Sequence, residues 1–177
     1  MKNLQEIPHN LNTRKGVCIA VIETTRGQRS KLKWDPSVGT WKLAGVLPRG
    51  MVFPFDFGFI PSTKGADGDP LDVLIVMDAQ TSAGCIVDVR MIGVIEAEQT
   101  EKGKTERNDR LLGVATVAHD FDHVHKLSDL GNTMVDQIGQ FFVSYNRVRG
   151  KEFKILGNRG AKRALELIEE ATIPMRV

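Results

Sequence analysis

The strongest constraint on the fold is a change of hydrophobic period near residue 130. Before it, apolar and β-branched runs recur at short intervals: Val17 to Glu23, Lys31 to Asp35, Thr40 to Ala44, Leu71 to Met77, Cys85 to Ala97 and Arg110 to Val117. Each has the length and composition of a strand. Turn-forming stretches separate them, such as Arg26-Gly27, Asp35-Pro36-Ser37-Val38-Gly39 and Glu101-Lys102-Gly103-Lys104. After it, Met134, Val135, Ile138, Phe141, Phe142, Tyr145 and Val148 recur at helical spacing, with Asn132 placed to cap the helix. Ala161, Ala164, Leu165, Ile168 and Ala171 mark a second helix, beginning after Gly160 and ending before Pro174. Strands first and helices last predict an α+β fold, a closed or nearly closed β-barrel with helices packed outside. With no repeat, low-complexity stretch or linker in 177 residues, one domain over 1–177 is expected.

A net charge of +2 excludes a protein defined by a uniformly basic, polyanion-binding surface. No apolar run approaches the roughly 18 residues needed to cross a bilayer, and the N-terminal stretch lacks a leader's apolar segment, so no membrane partner and a cytoplasmic location are expected. Cys18 and Cys85 each sit inside an apolar run, which predicts two reduced, buried thiols.

Chemistry is concentrated in Asp67-Gly68-Asp69-Pro70-Leu71-Asp72, three carboxylates within six residues. Two carboxylates about 5 Å apart repel by roughly 3 kcal/mol at an effective dielectric near 20, so the loop calls for screening water or a cation. Gly68 allows a sharp turn and Pro70 fixes a backbone angle, which shapes the loop. An EF-hand does not fit, because its glycine position is Asp72 and Val73-Leu74-Ile75-Val76 reads as a strand. Oxygen ligands without His or Cys favour magnesium or manganese over zinc.

Opposite in sign is Arg26 to Lys33, where strand alternation puts Arg29, Lys31 and Lys33 on one face. A cationic strand beside an acidic loop is what phosphoanhydride chemistry needs, and no Walker loop or GxGxxG offers another route. His119-Asp120-Phe121-Asp122-His123-Val124-His125 lacks the i, i+4 histidine pair of HExxH and reads as a helix-entry segment.

The run Phe53-Pro54-Phe55-Asp56-Phe57-Gly58-Phe59-Ile60-Pro61, followed by Asp67-Gly68-Asp69-Pro70-Leu71-Asp72 and Val73-Leu74-Ile75-Val76, resembles the signature of the soluble family I inorganic pyrophosphatases. That signature is Y-P-x-N-Y-G-[FY]-I leading to D-G-D-P-x-D-V-L. The resemblance extends from about Glu23 through Tyr145 and implies a five-stranded OB-like β-barrel with flanking helices, two of them near the C-terminus. It implies magnesium-dependent hydrolysis of pyrophosphate to two phosphates by in-line attack of a metal-bound hydroxide, with Mn2+ as an alternative ion. Asp67 and Asp72 would be metal ligands, Asp72 bridging two ions, and Asp69 the general base. Glu23 would help to bind a further metal, and Lys31, Arg110 and Tyr145 would bind phosphate. Pyrophosphate is the implied partner, with no nucleic acid, and a homo-oligomer, a hexamer in bacterial relatives, is the implied assembly.

The chain departs from the family pattern at several positions. Lys33 stands where the pattern has Glu, and Gly45 where it has Arg. Lys33 is therefore expected to bind substrate in the place of the lost cation. Phe53 and Phe57 replace the signature tyrosines, and Asn146 replaces the lysine after Tyr145. In the hairpin between Val94 and Val114, Gln99 and Asn108 take the positions of two aspartates. Asn108 is then the expected metal ligand, unless a one-residue slip brings Asp109 and Glu98 in instead. These changes leave open a phosphohydrolase retuned to another phosphoanhydride, or a catalytically weak relative that binds metal and phosphate. An OB-like binder of single-stranded nucleic acid is the poorest fit, because it needs exposed aromatics.

Overall fold

The computed structural model describes residues 3–174, so Met1 and Lys2, part of the stretch read for a leader, lie outside it. In chain order the elements are β1 (Val17–Thr24), β2 (Ser30–Asp35), β3 (Thr40–Val46), β4 (Asp56–Ile60), β5 (Leu71–Val76), β6 (Ile86–Glu101), β7 (Lys104–Arg107), β8 (Arg110–Ala115), α1 (Asn132–Arg147), β9 (Glu152–Gly160) and α2 (Ala161–Ala171).

Five strands close on themselves. β1 pairs antiparallel with β4, and β4 with β5. β5 runs parallel to β8, β8 antiparallel to β6, and β6 returns antiparallel to β1. This is the expected five-stranded barrel. Closure leaves β4, β5 and β8 without a free edge and with almost every residue buried, which is why, beyond the charged residues near their starts (Asp56, Asp72 and Arg110), their sequences run apolar rather than alternating. Only glycine fits at residue 58, where a Cβ would overlap the carbonyl of Val21 on β1.

β6 is the longest strand, 16 residues. Its first half pairs with β1, and its second half runs beyond the barrel to pair with β9 and, near its end, with β7. β2 and β3 form a separate two-stranded ribbon. α1 buries Val135, Ile138, Phe142 and Tyr145, and α2 buries Ala164 and Ile168, as their periods require.

The structure adds three strands that the sequence pattern did not separate. β4 overlaps the aromatic run Phe53–Phe59, β7 is four residues of mixed polarity, and β9 includes Gly157 and Gly160, which weaken its strand pattern. Two further expectations are corrected. Gly131 occupies the N-cap of α1 and makes no side-chain cap, leaving Asn132 as the first helical residue. Cys18 is buried, its thiol pushed up to about 12 by burial and by the charge of Asp88, but Cys85 is exposed. Cys85 closes a turn onto the Ser82 carbonyl (3.1 Å) just before β6 begins, and its neighbour Ile86 is 51% exposed, so the start of that apolar run lies on the outer surface. Among the described residues no helix is long and apolar enough to cross a membrane.

Candidate active site

The acidic loop is built before it is charged. The Gly65 N–H donates to the Asp69 carbonyl (2.7 Å) and the Asp69 N–H to Asp67 Oδ1 (3.1 Å), while Gly68 takes a φ of +86° that a side chain would strain. The loop delivers the chain to β5, where Asp72 pairs across the sheet with Phe59. Strand alternation turns Asp72 into a cavity of about 190 Å³.

Nearly every residue singled out from the sequence lines that cavity: Glu23, Lys31, Lys33, Asp67, Asp69, Asp72, Asn108, Arg110 and Tyr145. They come from β1, β2, the acidic loop, β5, β8, α1 and the turn before β8. Asp109 is turned away. Its carboxylate accepts from the Ala97 N–H (2.9 Å) and from Arg107 (2.8 Å), whereas the Asn108 amide donates to Gln99 Oε1 (3.0 Å) within the cavity. The hairpin therefore sits in the register that presents the two amides. A larger cavity of about 420 Å³ shares the back of the loop, but there Glu96 is held by Arg107, Arg159 and Arg163 at 3.4–3.5 Å.

Opposite charges in the site meet directly. Lys33 Nζ lies 2.6 Å from Asp69 Oδ2, and Arg110 Nη1 lies 2.7 Å from Asp72 Oδ2. Arg110 is buried, stacked between Phe142 and Phe153 at 5.2 and 5.3 Å, and also donates to Asn108 Oδ1. Its Nε has no hydrogen-bond partner. Lys33 thus holds Asp69 directly, a contact that the sequence, which placed it on phosphate, did not foresee.

Among the described residues, Glu23 and Asp67 have no such partner. Burial pushes the Glu23 carboxyl up to about 7; the charge of Asp72 adds to this, while the Trp34 N–H (2.9 Å to Oε1), Lys31 and Lys33 work against it. Burial also raises Asp67, helped by repulsion from Asp72 and Asp69, against the pull of the Asp69 N–H and Arg110. In metal-free protein the unfolded chain therefore loses the Glu23 proton near pH 4.5 while the fold retains it to about pH 7. Stability should fall as pH rises through that window, by on the order of 3 kcal/mol in full. Denaturant unfolding in EDTA should find Glu23→Gln more stable than wild type at pH 8, with the gap narrowing toward pH 5. An equal gap at both values would show that Glu23 does not titrate in this window.

The donor set fits a hard divalent cation. Four carboxylates share one cavity that no His or Cys lines, and two of them, Glu23 and Asp67, carry raised proton affinity and, among the described residues, no direct ion pair. Among the described residues no three His, Cys, Asp or Glu side chains already close on one point, since Lys33 and Arg110 hold Asp69 and Asp72. The segment His119–His125 has a different job: the Asp78 carboxylate accepts the N–H groups of His119 (2.6 Å) and Asp120 (3.1 Å), fixing a loop that leads through the single turn Leu127–Leu130 into α1.

Gln5, Arg149 and Lys151 also line the cavity, and no sequence pattern marks them for it. Basic residues just past a helix end read as complements of its dipole, which hides any further role.

Comparison with known proteins agrees with this geometry. The family model described as inorganic pyrophosphatase matches residues 20–175. The inorganic pyrophosphatase of Synechocystis sp. is 33% identical over 168 residues, covering 95% of this chain and 96% of that one. That of Thermus thermophilus is 35% identical over 169 residues, covering 94% of each. A crystal structure of the Thermus thermophilus protein superposes with a TM-score of 0.87 at 33% identity, over 96% of this chain and 97% of the other. One from Neisseria gonorrhoeae gives 0.82 at 28% identity, over 94% and 95%. Sequence signature, barrel and site thus lead to one conclusion: this chain belongs to the inorganic pyrophosphatase family.

Proposed function

We propose that the chain hydrolyses inorganic pyrophosphate to two phosphates with a divalent cation, magnesium, and Mn2+ as a substitute. What carries the reading is one cavity in which Glu23, Asp67, Asp69 and Asp72 face Lys31, Arg110 and Tyr145. Glu23, Asp67 and Asp72 are the groups that would hold the cation, with Asn108 adding a neutral carbonyl and Asp109 left in its own ion pair. Bound magnesium makes water more acidic and draws charge from phosphate oxygens.

Asp69 is the general base, accepting the proton of the water that attacks phosphorus. As that P–O bond forms, the bond to the bridging oxygen breaks and phosphate leaves. Lys31 binds the phosphate oxygens, held over the Phe57 and Tyr145 rings at 5.2 and 5.4 Å, and Tyr145 binds them through its hydroxyl. Once Asp69 and Asp72 are otherwise neutralised, Lys33 and Arg110 are free to turn to phosphate as well.

The test is phosphate release from pyrophosphate, ATP and tripolyphosphate, with magnesium and with EDTA. Pyrophosphate should be the preferred substrate and EDTA should abolish release. Release that persists in EDTA, or a preference for ATP, would sink the reading.

The two amides supply less charge than carboxylates. Asn108→Asp should therefore lower the magnesium needed for half-activation about tenfold, and Asp109→Asn should leave it unchanged. If the effects are reversed in a magnesium titration, Asp109 is the ligand.

The same reading makes the protein a single domain over 1–177 that works in the cytoplasm. Burial of Phe53, Phe57 and Phe59 leaves no stacking platform there for nucleic acid. Exposed Leu43 and Val46 on the β2–β3 ribbon and Val148 past α1 favour a homo-oligomer, read as a hexamer.

A further inference from the structure

The cations of the site divide into two sets. Lys33, Arg110 and Lys151 are each held by a carboxylate, on Asp69, Asp72 and Glu101 at 2.6–2.8 Å. Among the described residues, Lys31 and Arg149 lie within 4 Å of no carboxylate. These two lie against the same ring: Lys31 Nζ is 5.4 Å and the Arg149 guanidinium 5.1 Å from the centre of Tyr145. Arg149 also donates through Nη1 to the Tyr145 hydroxyl.

Arg149 is held in place by its backbone as well. Its N–H and that of Lys151 both donate to the Asn146 carbonyl (3.0 Å each), and Gly150 between them takes a φ of +74°, which turns the chain sharply past α1. Arg149 lines the catalytic cavity. It also lines a smaller cavity of about 110 Å³, together with Lys31, Tyr145 and Gly45. Gly45 stands where the family pattern has Arg, and nothing lies within 4 Å of a Cβ built there. Asn146, where the pattern has Lys, is buried with its amide donating to the Phe142 carbonyl (2.8 Å), so it offers the cavity no charge. Two cations are thus missing from one corner, and a third, from a different place in the chain, reaches it.

We propose that Arg149 is a substrate-binding residue that, with Lys31, seats the phosphate oxygens of pyrophosphate in the corner emptied by Gly45 and Asn146. The proposal rests on the pyrophosphatase reading above. A guanidinium can meet two oxygens of one phosphate, and here it does so without first breaking an ion pair. Tyr145 sets its position, so the contact is made in the ground state and the transition state alike. That is uniform binding, which governs KM rather than kcat.

Steady-state kinetics on pyrophosphate with saturating magnesium test this. Arg149→Gln should raise KM by roughly tenfold to a hundredfold, the range of a lost charged hydrogen bond, with kcat within about threefold of wild type. Arg149→Lys should fall between the two, and adding Gly45→Arg to Arg149→Gln should bring KM down again by restoring a guanidinium from β3. Calorimetry with imidodiphosphate, a non-hydrolysable analogue, should show the same loss and gain of affinity. A KM and an imidodiphosphate affinity within twofold of wild type in a folded Arg149→Gln protein overturn the proposal, as does a fall in kcat at constant KM. Wild type that binds imidodiphosphate in an Arg149-dependent way yet releases no phosphate from pyrophosphate overturns the hydrolytic reading and keeps Arg149 as a diphosphate ligand.

Discussion

Asp69→Asn should lower turnover of pyrophosphate by roughly 10² to 10⁴-fold, the range of a lost general base, while metal affinity stays near that of wild type. The substitution is close to isosteric, and the amide oxygen can still accept from Lys33, which lies 2.6 Å from Asp69 Oδ2. The Asp69 carbonyl and N–H, which close the loop, are untouched. What is lost is the ability to take a proton. Stopped assays of phosphate release beside manganese binding followed by electron paramagnetic resonance separate the two effects. Near-normal turnover would move the base elsewhere, and an equal loss of manganese would make Asp69 a ligand instead.

Asp72→Ala should damage fold and site together. Arg110 is 4% exposed and its side chain is tied to the Asp72 carboxylate at 2.7 Å, with Nε already unsatisfied. Removing one member of such a pair leaves a buried charge uncompensated, at a cost of about 3 to 5 kcal/mol. For a chain of this size each kcal/mol lowers Tm by about 2–4 °C, so a fall of roughly 6–20 °C in EDTA is expected. On the proposed reading a metal-holding carboxylate is lost at the same time, and activity should not return at any magnesium concentration. Asp72→Asn separates the contributions, because the amide oxygen keeps a hydrogen bond to Arg110 and so most of the stability, but not the charge that holds metal. A thermal midpoint unchanged in Asp72→Ala would mean that Arg110 finds another partner or water.

Much of the barrel was legible in the sequence because closure leaves its mark locally: strands buried on both faces are apolar beyond their charged first residues, and the turns between them use Gly, Pro and Asp. The acidic loop was legible for a similar reason, since three carboxylates crowded into six residues repel one another unless a cation or water lies among them. β9 was not, because its alternation of Phe153 and Ile155 with charged residues is broken at Gly157, and what makes it a strand is the long free flank of β6. β4 hid inside an aromatic run whose register only the pairing with β1 and β5 reveals. The Lys33–Asp69 contact joins residues 36 apart, and Arg149 reaches the cavity through the turn past α1, so no local pattern announces either. Which of Asn108 and Asp109 faces the cavity was a question of strand parity, which sequence leaves as two alternatives; in the fold Asn108 lines the cavity and the Asp109 carboxylate accepts from the Ala97 N–H.

The way β6 collects its neighbours also bears on the order of events during synthesis. Its second half is covered by β9, which ends at residue 160, and the cavity needs groups from Glu23 to Lys151. A nascent chain that has released β1 to β8 from the ribosome can pair its barrel strands, but it lacks the helix that carries Tyr145 and the turn that carries Arg149. At about 5–20 residues per second, the roughly 45 residues from the end of β8 to the end of β9 take several seconds to add. Through that interval the growing polypeptide exposes the acidic loop and the bare flank of β6 together, so the ability to bind diphosphate arrives late, with the same stretch of chain that shields its most adhesive edge.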